Sequence, residues 1–398
     1  MRKSFKFKAK VSKTTGQKAI GLLNLCRILY NLTLEQRKLE YKNFKNHHAL
    51  VPSERRSRKR LTTFEQHKQL TELKQEFPEF KQIPSQVAQD VVDRVGKAYA
   101  NFYSRIKTEK VGTPRFKSRD RYHSITFKQA GWKLEGRHLH IKGVGIFKLY
   151  LSREILGTIK TVTLRYSCDS WYVTFSCDNV PAVRPIGPAK QAIGIDLGLS
   201  HFYTDSEGNK VENPRHLKKH ARSLEEAQRA LSLKKHGSNN RKKAKKQVAK
   251  IHRKVSDSRK DFHYKTAKRL VQNFQTIVME NLNIKSMIAQ GKYNKSIHDV
   301  GWGEFEAILL AKAEEAGREV LRVNPKNTSQ ECSCCGELVE KDISVRVHRC
   351  ACGAEIDRDL NAAWNILRRG GYYFWEHCSE ELVLNVFRLG NNRSELCA

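Results

Sequence analysis

The chain has 398 residues and is 39% hydrophobic, enough for two or three domains with cores of their own. Lys and Arg outnumber Asp and Glu by 75 to 41, and the resulting formal charge of +34 exceeds what solubility requires and points to a polyanion, nucleic acid first. No apolar run reaches membrane-spanning length, and the basic start MRKSFKFKAK has no signal-peptide-like apolar stretch behind it, which argues against a membrane role and for a cytoplasmic protein.

Residues 1–18 alternate aromatic and basic side chains, with Phe5 and Phe7 between lysines, and predict a strand with one solvated face. Residues 19–107 read as helical, since Ile20, Leu23, Leu25, Ile28, Leu29, Leu32 and Leu34 recur at helical spacing. The basic run at residues 54–60 is an expected loop or exposed helix. Ser85 is the expected cap of a helix that places Val87, Val91, Val95, Ala98, Phe102 and Ile106 on one face. From 108 to 180 strands separated by turn residues predict a small β-barrel or sheet interrupted by the helical insert. Three of the nine prolines fall in residues 179–190, which read as a linker. A strand, a turn, a second strand and a hairpin follow, then a long, very basic helical stretch to about Phe274. The remainder reads as a buried strand TIVMENL, a helix stopped by Gly317, another strand, a cysteine-rich segment and a helix DRDLNAAWNIL.

That order suits an α/β domain of ribonuclease-H type. Asp196 lies near the end of its first strand in GIDLG, and Glu280 ends the strand TIVM. Asp357 is placed to cap the last helix, and Asp359 falls in the first turn, where the helix dipole favours an ionised carboxylate. Ala362 and Ala363 keep that helix thin enough to pack close to a sheet, and Gly198 leaves backbone space for a phosphate. Three carboxylates supply oxygen ligands for two Mg²⁺ or Mn²⁺ ions, one activating a water and one stabilising a leaving oxygen in phosphodiester cleavage. GIDLG also occurs in sugar kinases and actin-like ATPases, but no Walker-type glycine loop accompanies it here.

Five of the ten cysteines fall between Cys332 and Cys352. Cys332 and Cys335 have C-x2-C spacing, and Cys350 and Cys352 have C-x-C spacing, a set that would hold one structural Zn²⁺ with all four positions filled by protein. The second spacing is short, which leaves Cys334 or His348 as a substitute ligand. The basic stretch 241–260, with Arg241, Lys242, Lys243, Lys245 and Lys246, reads as a phosphate groove within so cationic a chain. Phe5, Phe102, Tyr103, Phe116, Tyr122 and Phe127 are candidates for base stacking, most of them better explained as core.

GIDLG, SRKDFHYKTAKRL, VMENLNIKSM, the run WGEFEAILLAKAEEAGREVLRVNPKNTSQECSCCG and DRDLNAAWNIL together resemble TnpB, the nuclease of bacterial insertion sequences and relative of compact type V CRISPR effectors. The resemblance is most specific from about Ala192 to Gly370. It implies an RNA-guided DNA endonuclease whose RuvC-like site uses Asp196, Glu280 and Asp359. A transposon-end guide RNA (ωRNA) would pair with double-stranded target DNA while the protein reads a short flanking motif. It implies a multidomain α+β chain. A wedge barrel from 1–18 and 108–180 carries a helical recognition insert at 19–107, and 181–190 is a linker. The RNase H-like nuclease spans 191–327 and 355–370, interrupted by a zinc finger at 328–354, and 371–398 form a tail. Gln86, Tyr122 and Ser124 are candidates for reading the flanking motif. The expected assembly is a monomer with RNA in the bacterial cytoplasm at the nucleoid, without a membrane. The C-x-C half of the cysteine set and the tail after Arg369 depart from the family pattern. Rival functions are a nuclease-silent RNA-guided repressor, a transposase or recombinase acting on DNA without RNA, and a junction resolvase.

Overall fold

The computed structural model describes residues 1–50, 61–181, 189–291, 293–342 and 344–372, with the side chains of 44–50 left aside. The basic run at 54–60, most of the proline-rich linker and the tail beyond 372 therefore lie outside the described residues. The chain divides into two compact units, Met1–Pro181 and Ala182–Ala398.

In the first unit, β1 (Lys3–Val11) leads into three helices, α1 (Lys13–Leu50), α2 (Thr63–Glu76) and α3 (Ser85–Arg105). Six strands follow: β2 (Ser124–Phe127), β3 (Trp132–Glu135), β4 (His138–Ile141), β5 (Gly145–Leu149), β6 (Thr158–Ser167) and β7 (Ser170–Asp178). These strands form one antiparallel sheet in the order β2-β6-β7-β1-β5-β4-β3. The alternation in β1 is what the pleat demands. Phe5 and Phe7 are buried, and Lys6, Lys8 and Lys10 face outward. Helix α1 starts at Lys13, earlier than the expected boundary near residue 19. Ser85 is the first helical residue of α3, not its cap, because Pro84 occupies the capping position without a side-chain bond. The apolar stripe of α3 is buried at Val87, Val91 and Val95, whereas Ile106 beyond its end is exposed.

The second unit opens with β8 (Lys190–Leu197), β9 (His201–Asp205) and β10 (Lys210–Glu212), then α4 (His216–Lys219), α5 (Ala221–Ser232) and the long α6 (Asn239–Asn273). Next come β11 (Phe274–Glu280), α7 (Ile284–Ala289), α8 (Asn294–Val300), α9 (Trp302–Ala316) and β12 (Glu319–Val323). The short pair β13 (Val347–Arg349) and β14 (Glu355–Asp357) precedes α10 (Arg358–Arg369). Gly317 ends α9 in the left-handed region, as the sequence led one to expect. Strands β10-β9-β8-β11-β12 make a mixed sheet in which β8, β11 and β12 run parallel and β9 pairs antiparallel with both β8 and β10.

Apolar runs in β8 and β11 are buried on both faces, as parallel strands covered on each side must be. Ile193, Ile195, Ile277 and Met279 pack with residues of α6 and α9, including Ala267, Leu270, Phe305 and Leu309. Val278 packs on the other face with Ile366 and Leu367 of α10. Odd-numbered positions of β8 thus serve one layer and even-numbered positions the other.

Candidate active site and thiol cluster

The pleat decides where the acids point. Gly194 of β8 faces α10 so closely that a Cβ there would lie 2.3 Å from the Ala363 carbonyl oxygen. Asp196 is two residues on, so its side chain leaves the same face. In β11, Val278 lies on the α10 face, so Glu280 does as well. The register pairs Gly194 with Val278 and Ile195 with Met279 in parallel, which brings Asp196 level with Glu280 at the carboxyl ends of both strands. Ala362 and Ala363 are buried on the helix that covers this face.

Helix α10 brings the third acid. Asp357 caps it, accepting hydrogen bonds from the backbone N–H groups of Asp359 (3.0 Å) and Leu360 (3.2 Å), and Lys210 pairs with its Oδ2 at 2.7 Å. Asp359 then lies in the first turn, 4.0 Å from the Arg346 guanidinium.

Electrostatics show the three acids acting on one another. Burial pushes Asp196 well above the ordinary carboxylate range, and repulsion from Glu280 and Asp359 pushes it further, against a smaller opposing effect of Arg358. Burial also raises Glu280, which is 8% exposed, while a hydrogen bond from the Thr328 hydroxyl and the charge of Arg369 pull it back. Among the described residues no side chain hydrogen-bonds to the Asp196 carboxylate. Glu280 and Asp359 thus both repel Asp196, and carboxylate oxygens are the donors that a hard divalent cation prefers.

Gly198 sits at the turn between β8 and β9. A Cβ there would meet the His201 carbonyl oxygen at 3.0 Å, and its N–H donates to the Phe202 carbonyl, so its small size serves the tight β8–β9 turn.

The thiols of Cys332, Cys335, Cys350 and Cys352 have their sulfur atoms all within 4.8 Å of one another. Cys332 Sγ is 3.8 Å from Cys352 Sγ, and Cys335 Sγ is 3.5 Å from Cys350 Sγ. Each half is a tight turn closed by a glycine in the left-handed region. Gly336 (φ +82°) donates to the Cys332 carbonyl, and Gly353 (φ +89°) donates to the Cys350 carbonyl. The Cys334 side-chain hydrogen bond and burial push Cys332 up to about 12, and burial pushes Cys335 up to about 12. Four clustered soft donors suit a metal such as zinc, and binding it would displace their protons. Cys334 and His348 stand outside this group: His348 is fully buried and bonds through Nδ1 to Lys341.

Comparison with known proteins identifies relatives of the chain. A family model described as "Probable transposase" (OrfB_IS605) matches residues 175–290, and one described as "Cas12f1-like, TNB domain" matches residues 302–366. A Streptomyces pristinaespiralis protein named "Putative RNA-guided DNA endonuclease" is 33% identical over 311 residues, covering 76% of each chain. "Putative RNA-guided DNA endonuclease InsQ" of Escherichia coli (strain K12) is 30% identical over 309 residues, 73% of this chain and 75% of that one. "TnpB-like protein L770" of Acanthamoeba polyphaga mimivirus is 30% identical over 242 residues, 56% of this chain and 46% of its own. The chain belongs to the TnpB family.

Several residues that hold Glu280 and α10 in place were not singled out from the sequence. Thr328 touches Glu280, and Asn361 and Asn365 of α10 are fully buried and bond to the Glu331 carbonyl oxygen at 2.8 and 2.6 Å. Their signal was available: two asparagines four apart on an otherwise apolar helix face.

The expected nucleic-acid contacts scatter over both units. Gln86 accepts from the backbone N–H groups of Gln129 and Ala130, each at 3.1 Å, and so ties α3 to a loop. Tyr122 is buried against Tyr30, with ring centroids 6.0 Å apart, and the Ser124 carbonyl and hydroxyl accept from Arg94. Arg241 donates to the carbonyls of Leu231, in the last turn of α5, and of Lys234, just beyond it. Lys242 bonds to Asn239 at 3.3 Å, and Lys243, Lys245 and Lys246 are exposed along α6. Phe5 and Phe127 are core, whereas Phe116 and Tyr103 are exposed.

Proposed function

We propose that the protein is a guide-RNA-directed endonuclease that cuts double-stranded DNA beside a short flanking motif. The observation that carries this reading is the parallel register that sets Asp196 beside Glu280 on the face covered by α10, in a chain whose relatives are named RNA-guided DNA endonucleases. The order β10-β9-β8-β11-β12, with acids at the ends of two neighbouring parallel strands, supports an RNase H-like, RuvC-type domain. The seven-stranded sheet of the first unit, with its three helices between β1 and β2, supports the wedge and recognition-insert reading.

Asp196, Glu280 and Asp359 would hold Mg²⁺ or Mn²⁺, which when bound supplies Lewis-acid polarisation of the phosphate and a hydroxide at neutral pH. The chain's own contribution is to bring these acids to one face of the sheet and to orient them. Burial excludes water around Glu280, and the Thr328 hydroxyl holds one of its oxygens. Asp357 fixes the first turn of α10, and with it the backbone of Asp359. The four thiols would hold Zn²⁺ as a structural ion, since four protein ligands fill a tetrahedral shell.

The excess of cations would grip guide RNA and DNA phosphates without reading sequence, and such partners place the protein in the cytoplasm. The test is to purify the protein with its bound nucleic acid, sequence any RNA, and supply duplex DNA matched to it with Mg²⁺. A discrete RNA and cleavage that needs both RNA and Mg²⁺ are expected. Cleavage without RNA would favour a direct transposase, and RNA-dependent binding without cutting a repressor.

A further inference from the structure

We propose that Thr328 is a positioning residue for Glu280 and that the thiol cluster, through the segment joining Thr328 to Ser333, sets its place. The proposal rests on reading Glu280 as a metal-holding acid. Thr328 lies just ahead of the first thiol, Cys332, and is buried. Its hydroxyl donates to Glu280 Oε1, the far shorter of its two contacts, the other being the Pro325 carbonyl oxygen at 3.3 Å. That contact fixes one carboxylate oxygen and leaves the other to a cation. Threonine suits the task because its branched side chain is stiff about χ1 and its hydroxyl is a single, directed donor.

The segment behind Thr328 is stitched to α10 along its length. The Thr328 carbonyl accepts from Asn365 Nδ2 at 2.8 Å, and the Glu331 carbonyl accepts from Asn365 (2.6 Å) and Asn361 (2.8 Å). Asn361 Oδ1 in turn accepts from the backbone N–H of Ser333 at 2.9 Å, inside the first cysteine turn. The Glu331 carboxylate pairs with Arg368 and Arg369, each at 2.6 Å. Cys332 itself is held by its N–H to the Glu337 carbonyl (2.8 Å). One continuous set of bonds thus runs from a thiol turn to Glu280 on one side and to the helix carrying Asp359 on the other. Buried amides and carboxylates of this kind hold one arrangement because any other leaves them unpaired. Order imposed on the thiols by a metal would pass along this segment to the acids.

The experiment compares the parent RNA-bound protein with Thr328→Val and Thr328→Ser. Mn²⁺ binding is measured by calorimetry, zinc content by elemental analysis, and single-turnover DNA cleavage across a Mn²⁺ series. Valine keeps the shape and removes the donor. It should weaken Mn²⁺ binding about tenfold at unchanged zinc content and slow cleavage in a way that high Mn²⁺ partly restores. Serine keeps the hydroxyl and should return both readouts to near the parent values. Cys335→Ser, remote from the acids in sequence, should weaken Mn²⁺ binding as well. A Thr328→Val protein with parental Mn²⁺ affinity, or a Thr328→Ser protein as impaired as valine, overturns the proposal. A parent that binds no Mn²⁺ outside the thiols overturns the underlying reading of Glu280, and that failure is read from the parent alone.

Discussion

The four thiols come from a stretch of 21 residues, Cys332 to Cys352, and meet through two glycine-closed turns. The three acids span residues 196 to 359, and what would join them is a parallel register, a pleat parity and a helix packed on glycine. The thiol cluster is local, and a metal such as zinc could bind it and order it. Asp196 and Glu280 stand on a sheet buried on both faces, and Asp196 feels repulsion from the other two acids that a cation would relieve.

This contrast gives predictions that differ in size and in where they act. The largest concerns the thiols. Cys335→Ser should release the zinc and destabilise the second unit by several kcal/mol, on the order of the folding energy that structural zinc supplies. Limited proteolysis should then open the chain near Cys332 while the acids' sheet stays protected. Equal loss of protection in the sheet would erase the distinction between a local and a sheet-built cluster.

A smaller effect is expected at the acids' scaffold. Gly194→Ala puts a methyl group 2.3 Å from the Ala363 carbonyl oxygen, so α10 must shift. Overpacking of this kind costs about 1–3 kcal/mol, read from urea unfolding. Displacement of Asp359 by a fraction of an ångström should slow cleavage by roughly tenfold or more. Zinc content should stay at the parental value.

The third prediction uses pH. Burial and mutual repulsion hold Asp196 above its ordinary range, and burial holds Glu280 above its own. An acid with a folded pKa above its unfolded value adds stability that is full below the unfolded value and is lost as pH rises through the folded one. Protein that keeps zinc but lacks Mg²⁺ should therefore become more stable as pH falls from neutral toward about 5, nearer the ordinary carboxylate range. Asp196→Asn should flatten that trend in urea midpoints. A parent whose midpoint falls over the same interval would contradict it.

The smallest effect lies on the basic helix. Lys243→Ala should reduce the slope of log affinity against log salt by about one and weaken nucleic-acid binding modestly for every sequence alike. An unchanged salt slope would remove Lys243 from the phosphate-contacting set.

How far the sequence could be read follows the same division. The thiol spacing, the Asp357 cap, the Gly317 stop and the alternating β1 are local patterns, and local backbone chemistry is enough to predict them. Asp196, Glu280 and Asp359 stood out because each sits beside an apolar run or a small-residue helix. Their meeting could only be expected, because register between distant strands is a tertiary property. Thr328, Asn361, Asn365 and Glu331 escaped notice since single polar residues near a cysteine turn look like loop and surface until their partners are known. Tyr122 and Arg241 went the other way, looking available in sequence, with Tyr122 buried in the fold and Arg241 bonded to backbone carbonyls.

The most direct measurement of the central claim is a cycle of carboxylate removals. Asp196→Asn, Glu280→Gln, Asp359→Asn and their pairs are compared by single-turnover cleavage in the RNA-bound protein. If the three acids share one site, each single change should slow cutting by roughly a thousandfold or more, and a second change should add little, as for residues that act as a unit. Losses that multiply, or one variant cutting as fast as the parent, would show that the three carboxylates do not work together.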